Sequence, residues 1–215
     1  MISPHSNTSS YDLETEKINQ AVSKIFKDSE RIKKHKPNLF FIGKYYPKGD
    51  GNYGEMDEFS RMILAIKKDE EMLDQQSGEY YYYMNAVNYF NSLLGNILLN
   101  NEEFVICVMP SSAKGTSASG IRTIAESLCR PPIIDGTRCV CRNETIPKKH
   151  LGGERNLEKE IASLIVQNEN IIEDKIVLLL DDVTTTGTTF EAGIHKLKTA
   201  GAFEVIAMAL GKTTY

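Results

Sequence analysis

One stretch, KIVLLLDDVTTTGTTF at residues 175–190, constrains the fold more than any other part of this chain. Its apolar run at residues 176–180 is short, continuous and rich in branched side chains, which is typical of a strand buried on both faces of a parallel sheet. Asp181 and Asp182 follow, then threonines around Gly187, then apolar residues at helical spacing from Phe190. The sequence therefore predicts a strand, an acidic pair, a hydroxyl-rich loop and a helix in succession.

This succession also predicts a ligand site. In open α/β sheets, ligands bind beyond the carboxyl ends of the strands. A helix N-terminus offers free N–H groups and partial positive charge to a phosphate, and glycine allows the backbone to approach it closely. Carboxylates suit the vicinal hydroxyls of a sugar or a Mg²⁺ ion instead. A phosphate pocket beside a diol-and-metal pocket describes a ribose 5-phosphate ligand.

A simpler interpretation of the stretch is an acidic strand end followed by a threonine-capped helix. It accounts for one aspartate and one threonine, but not for two acids followed by five threonines around a glycine. We therefore favour the ligand site. Its predicted ligand-binding residues are Asp181, Asp182, Val183, Thr184, Thr185, Thr186, Gly187, Thr188 and Thr189. Asp181 and Asp182 are the predicted Mg²⁺ ligands and also candidate catalytic residues.

A second loop is predicted to lie at the same edge of the sheet. The apolar run at residues 104–109 predicts another buried strand, and Ser111, Ser112, Ala113, Lys114 and Gly115 follow it. Backbone N–H groups and a lysine in such a loop can bind an anion. Loops of this composition are common, but a parallel sheet would bring this one beside Asp181, which strengthens the prediction.

A cationic segment at residues 142–156 separates two predicted elements and contains Lys148, Lys149, Arg155 and two glycines. A long segment of this kind in a compact domain is typical of a lid that closes over an anionic ligand. An ordinary surface loop with lysines is an equally good interpretation. Under the lid hypothesis, Lys149 and Arg155 are further candidate catalytic residues.

The remaining elements predict the fold class. Strands are expected at 39–46, 133–141 and 205–210, and helices at 13–36, 59–73, 84–99, 121–128, 157–166 and after Phe190. Alternating elements with buried-type strands indicate an α/β fold with a mostly parallel, twisted sheet and helices on both faces. We expect a disordered N-terminus at 1–16, a helix and strand-and-helix cap at 17–100, and the ligand-binding α/β core at 101–215.

Composition excludes several classes of protein. The 215 residues are 41% hydrophobic and carry a formal net charge of −4, which argues against non-specific nucleic-acid binding. The sequence contains neither an apolar run of membrane-spanning length nor the apolar core of a signal peptide near the start, so we expect a cytoplasmic protein without a membrane partner. Its four cysteines show no metal-ligand spacing and are expected to be free thiols.

The 175–190 stretch resembles the PRPP-binding motif of type I phosphoribosyltransferases, and the order of features resembles the ComF-like branch of that family over about residues 39–212. The similar positions are Tyr45 and Tyr46, the ILAIKK segment at 63–68, the Pro-Ser-Ser ending at Ser112, Arg142 and Thr145, Arg155 and Asn156, and the DDVTTTGTT motif at 181–189. Thr184 stands where an aliphatic residue is common. The chain also has no cysteine before Cys107, and SGIRTIAESL replaces the family's Arg-Gly-Phe-Asn stretch.

The resemblance implies a PRPP-dependent transferase that passes ribose 5-phosphate to a nitrogen nucleophile, a nucleobase-like or amine acceptor, and releases pyrophosphate. It implies Mg²⁺ as cofactor, with Ser111 to Gly115 cradling pyrophosphate. The alternative is a regulatory protein that binds PRPP or a nucleotide without turnover, because fold does not fix function. The tyrosines at 80–83 and the N-terminal helix are candidate contacts for a homodimer.

Overall fold

The computed structural model describes residues 10–47, 56–115, 119–145 and 156–214. Its strands are β1 (Lys33–Lys36), β2 (Leu39–Tyr45), β3 (Val105–Val108), β4 (Ile134–Asp135), β5 (Val140–Arg142), β6 (Leu164–Val166), β7 (Ile176–Thr184) and β8 (Glu204–Thr213). Its α-helices are α1 (Ser10–Ile25), α2 (Glu58–Ile66), α3 (Gly78–Ile97), α4 (Gly120–Leu128), α5 (Leu157–Ser163) and α6 (Thr188–Thr199).

Six strands form the main sheet in the order β1-β2-β8-β7-β3-β4. Every neighbouring pair is parallel except β1 with β2, which is antiparallel at the edge. The middle strands are apolar and buried over Val105–Val108 of β3 and over residues 176–180 of β7, because both faces of a parallel sheet are covered. The predicted α/β fold with a mostly parallel sheet is confirmed.

Two hydrophobic cores lie on opposite faces of this sheet. On one face, α1 to α4 cover alternate strand residues such as Ile42, Leu178 and Met208. On the other face, α6 packs Phe190 and Leu197 against the intervening strand residues. The antiparallel pair of β5 and β6 joins this second core through Val140 and Leu164. Helices therefore cover both faces, as predicted.

The N-terminal predictions need correction at two places. Helix α1 already begins at Ser10, so the disorder predicted up to residue 16 is wrong for its last residues. The predicted helix at 13–36 ends at Ile25, and its basic end forms the edge strand β1 instead. The reason is long-range, because β1 pairs with β2 from Lys33↔Phe41 to Lys36↔Leu39.

Four further elements differ from prediction. The strand expected at 133–141 is two short strands in different sheets, β4 beside β3 and β5 beside β6. The helix expected at 157–166 ends at Ser163, and β6 begins at Leu164. The helix expected at 59–73 ends at Ile66, and a short 3-10 turn follows at Glu70–Met72. Helix α3 starts at Gly78, where Ser77 caps it by accepting a hydrogen bond from Tyr80 N at 3.1 Å.

The N-terminal part contributes directly to the main sheet, because β2 lies next to β8 inside it.

The four cysteines are free thiols, as predicted. Across the described ranges, none of the helices combines the length and apolar character that crossing a membrane requires.

Candidate phosphate and sugar site

The acidic pair lies at the carboxyl end of β7, at the edge of the sheet where parallel strands end together. The strand does not stop before the aspartates, as the sequence suggested, but continues to Thr184. Its pairing with β8 extends through Asp181↔Ala209, Val183↔Gly211 and Thr184↔Lys212. The carboxylates are therefore carried by a hydrogen-bonded strand, which fixes their direction better than a free loop would.

The threonine loop turns sharply from β7 into α6. Gly187, the residue before α6, has φ of +88°, a left-handed conformation that favours glycine. The hydroxyls of Thr186 and Thr188 lie 2.9 Å apart, and those of Thr185 and Thr213 lie 3.1 Å apart. These contacts order the loop around the N-terminus of α6, where N–H groups point outwards.

This loop encloses a small cavity of about 130 Å³. The residues lining it are Asp181, Val183, Thr184, Thr185, Gly187, Thr188, Thr189 and Phe190. The cavity is smaller than the ~300–1,000 Å³ of typical drug-sized ligand pockets. Its hydroxyls and helix N-terminus suit an anion of the size of one phosphate group. Seven of the nine predicted ligand residues at 181–189 thus line one cavity, whereas Asp182 and Thr186 do not.

The two carboxylates have different partners. The backbone N–H of Asp182 donates to Asp181 Oδ1 at 2.8 Å, which turns the Asp181 carboxylate back along the strand. Lys67 directly follows α2, and its Nζ lies 2.7 Å from Asp182 Oδ1. Burial opposes the charge on Lys67, but Asp182 and Asp181 outweigh burial and raise the pKa of Lys67. Lys67 therefore stays protonated at neutral pH and neutralises part of the acidic pair.

Asp181 and Asp182 could bind Mg²⁺ only together with oxygens from water and a bound substrate. Among the described residues there is no group of three or more acidic, histidine or cysteine side chains that could hold a metal ion. Mg²⁺ commonly takes one or two carboxylates and completes its octahedron with water and substrate oxygens. Asp181 and Asp182 can provide that share, but they do not form a complete metal cage.

The loop at 111–115 lies next to the acidic pair, as predicted. Met109 N donates to Leu180 O at 2.8 Å, so the chain leaves β3 beside the residue that precedes Asp181. Ala113 N donates to Ser111 Oγ at 3.2 Å, and Gly115 takes φ of +84°. Ser112 and Lys114 lie within the same turn of chain, with Ser112 half-buried and Lys114 exposed.

Arg142 holds the 111–115 loop in place through hydrogen bonds. Its guanidinium is buried, forms an ion pair with Glu160 at 3.0 Å and donates to Ser163 Oγ. Its Nε also donates to Ser111 O at 3.2 Å, and its backbone exchanges hydrogen bonds with Gly115. Thr145 Oγ1 accepts from Lys114 N at 3.1 Å. The two positions Arg142 and Thr145 thus position the loop rather than face a ligand.

The candidate lid falls outside the described residues. Lys148, Lys149 and Arg155 all lie in the range 146–155, so the catalytic assignments of Lys149 and Arg155 stay predictions. Within the described ranges, the basic residues found near the acidic pair and threonine loop are different ones: Lys67, His35 and Lys36.

The sequence analysis assigned none of these three residues to the site, although Lys67 belongs to the ILAIKK segment at 63–68 that resembles the family. Lys36 reaches the threonine loop, because a Cβ built on Gly187 would lie 3.3 Å from its Nζ, and it pairs with Glu191 in the first turn of α6. His35 contacts the backbone of Thr185, while burial, Lys212 and Lys36 lower its pKa. The available signal was the basic KKHK segment, but its position depends on strand pairing that local sequence does not reveal.

Fold and site together define an α/β protein with a strand-loop-helix cavity at the carboxyl edge of a parallel sheet, where ligands bind in such folds. The family model described as the phosphoribosyl transferase domain matches residues 142–212, which run from the end of β5 nearly to the end of β8. That stretch includes the acidic pair and the threonine loop. No curated protein matches the chain.

Proposed function

We propose that this protein is a PRPP-dependent phosphoribosyltransferase of the ComF-like branch of the type I family. A nitrogen nucleophile on the acceptor attacks C1 of the ribose, and the bond between C1 and the pyrophosphate oxygen breaks. Pyrophosphate leaves with the bonding electrons, and the proton of the acceptor passes to solvent. The products are a ribosyl 5-phosphate of the acceptor and pyrophosphate.

One observation carries the proposal. Asp181 and the threonine loop share a cavity at the N-terminus of α6, on the carboxyl edge of a parallel sheet, and Asp182 follows Asp181 on the same strand. The family-model match over residues 142–212 covers the same elements and supports phosphoribosyl transfer in general. The departing group is anionic, so catalysis chiefly requires charge neutralisation and correct positioning.

Each described group has a defined task under this proposal. The N-terminus of α6 and its threonine hydroxyls bind the 5-phosphate, and Asp181 and Asp182 accept hydrogen bonds from the ribose hydroxyls. The N–H groups of the 111–115 loop face the pyrophosphate, with Lys114 as the loop's charged side chain. Bound Mg²⁺ supplies positive charge to the pyrophosphate oxygens, and the aspartates are the residues that would hold it.

Titration calorimetry with Mg·PRPP tests binding, and pyrophosphate release in the presence of nucleobases and small amines tests turnover. We expect a binding free energy of about −4 to −8 kcal/mol, which corresponds to millimolar to micromolar affinity. Binding without pyrophosphate release for any acceptor would favour the regulatory alternative. The absence of both heat and thermal stabilisation with Mg·PRPP would reject the proposal.

Asp181→Asn and Asp182→Asn test the division between the sugar and phosphate parts of the site. Each amide keeps the size of the side chain but is a poorer partner for Mg²⁺ and hydroxyls. We expect weaker Mg·PRPP binding in both variants, while inorganic phosphate still binds at the unchanged threonine loop. Turnover should fall further than affinity, because positive charge developing at C1 loses a nearby carboxylate. Wild-type PRPP affinity in both variants would remove the acidic pair from the site.

A further inference from the structure

A second cavity, of about 400 Å³, opens where β2 and β8 end. Its lining residues are Lys33, Phe41, Lys44, Lys212, Thr213 and Thr214. None of them lines the smaller cavity at the threonine loop. Its volume falls within the ~300–1,000 Å³ range of sites that hold small molecules. It is therefore a separate space from the phosphate and sugar site.

Three lysines from three different strands converge on this cavity. Lys44 and Lys212 are register partners on β2 and β8, and Lys33 on β1 is the register partner of Phe41. Lys212 Nζ lies 5.7 Å from the centre of the Phe41 ring. In the part of the chain that the structure describes, none of the three lysines forms an ion pair. Such a concentration of like charge favours an anionic occupant, because the charges repel each other without one.

Protection of a sheet edge explains only part of this arrangement. Lysines on an edge strand discourage pairing with other chains, and Lys33 and Lys34 on β1 can serve that purpose. Lys44 lies beyond Phe41, the last residue of β2 that pairs with β1, so it can also protect an edge. Lys212 belongs to β8, which lies between β2 and β7, so edge protection does not explain its position.

The cavity adjoins the threonine loop through direct contacts. Thr213, in the cavity wall, has its hydroxyl 3.1 Å from that of Thr185. His35 contacts the backbone of Thr185 and is close enough to Lys212 for that ammonium to lower its pKa. A ligand in the large cavity would therefore contact residues that hold the loop of the smaller one.

We propose that this lysine-lined cavity binds a second, phosphate-bearing anion that carries at least two phosphate groups. Ammonium groups are strong, flexible partners of phosphate oxygens, and the Thr213 and Thr214 hydroxyls add donors at the same wall. Phe41 provides an apolar side against which a ring can lie. The source of the phosphates is a free polyphosphate or the phosphate chain of a nucleotide.

Calorimetric titration with inorganic tripolyphosphate and with ATP, both without PRPP, tests the proposal. The test variant is the double substitution Lys44→Gln/Lys212→Gln, which loses two charge-assisted contacts and should bind about a hundredfold more weakly. Lys24→Gln is the control, because Lys24 is an exposed lysine in the last turn of α1 and does not line the cavity. Gly187→Ala adds a Cβ that meets Leu39 and Lys36, and neither residue lines the large cavity, so tripolyphosphate binding should persist in that variant.

The two ligands distinguish the two sources. Similar affinities indicate that the phosphates alone are recognised, whereas tighter ATP binding that weakens in Phe41→Leu indicates a nucleotide. Three outcomes would overturn the proposal: unchanged binding in the double lysine variant, loss of binding in Gly187→Ala, or equal weakening in Lys24→Gln. Much tighter binding of a single-stranded oligonucleotide, lost in the double variant, would also overturn it in favour of a nucleic-acid surface.

Discussion

Thr184 is the last residue of β7, and only 3% of it is exposed. Its Oγ1 is buried and has no hydrogen-bond partner among the described residues. A buried hydroxyl without a partner loses its hydration and gains nothing in return. An aliphatic residue, which is common at this position in the motif that the stretch resembles, would avoid this cost.

Thr184→Val should therefore stabilise the protein. Valine keeps the branched shape and removes the unpaired hydroxyl, so we expect the free energy of unfolding to rise by about 1 kcal/mol in urea denaturation. Thr137→Val is the matched control, because Thr137 is also buried but its hydroxyl donates to Asp135 Oδ1 at 2.7 Å. The control should be destabilised. A destabilised Thr184→Val protein would show that its hydroxyl has a stabilising role.

Gly187 and Gly201 give a second matched pair at the residue scale. Both have positive φ, +88° and +91°, so alanine at either position should cost about 1–2 kcal/mol of backbone strain. A Cβ at Gly187 would also lie 2.9 Å from Leu39 Cδ2, whereas at Gly201 the nearest atom is 3.5 Å away. We expect Gly187→Ala to be the more destabilised in urea and the only one of the two to lose Mg·PRPP affinity. Equal PRPP affinity in the two variants would show that the threonine loop does not hold the phosphate.

At the scale of elements, the sequence predicts what is locally encoded. The run at 176–180 identified β7 because continuous branched residues fit only a doubly covered strand. Its extension to Thr184 escaped prediction because it depends on pairing with β8. Strand β1 was mistaken for a helix end because lysine and histidine carry no strand signal without β2 beside them. The contact of Lys67 with Asp182 joins residues 115 positions apart, which no local pattern reports.

Arg142 connects three elements, and its removal should show how much they depend on it. Arg142→Met leaves the buried carboxylate of Glu160 without its cation, which typically costs about 3–5 kcal/mol. The double variant Arg142→Met/Glu160→Met removes both charges and should lose less stability than the single variant. Urea denaturation of both proteins measures this difference. A double variant less stable than Arg142→Met would mean that the ion pair is not the main contribution of this arginine.

At the scale of the whole molecule, the residues matched by the family model are not a complete folding unit. They provide β6, β7 and β8 with α5 and α6, but none of the helices α1 to α4 that cover the opposite face of the sheet. Leu178, Met208 and Leu210 are fully buried only because those helices pack on them. Strand β2, which closes the side of β8, also comes from the N-terminal part.

The N-terminal part should therefore be required for folding, and residues 101–215 should not form a stable core without it. A fragment of residues 101–215 would expose the apolar face under α1 to α3 and the edge of β8, a surface prone to aggregation. We expect the fragment to lack a cooperative thermal transition by circular dichroism, whereas the full chain unfolds in one transition that coincides by circular dichroism and tyrosine fluorescence. Adding a separate 1–100 fragment should restore structure if the two parts associate through β2 and β8. A fragment that melts cooperatively and binds Mg·PRPP by itself would establish the 101–215 segment as an independent domain.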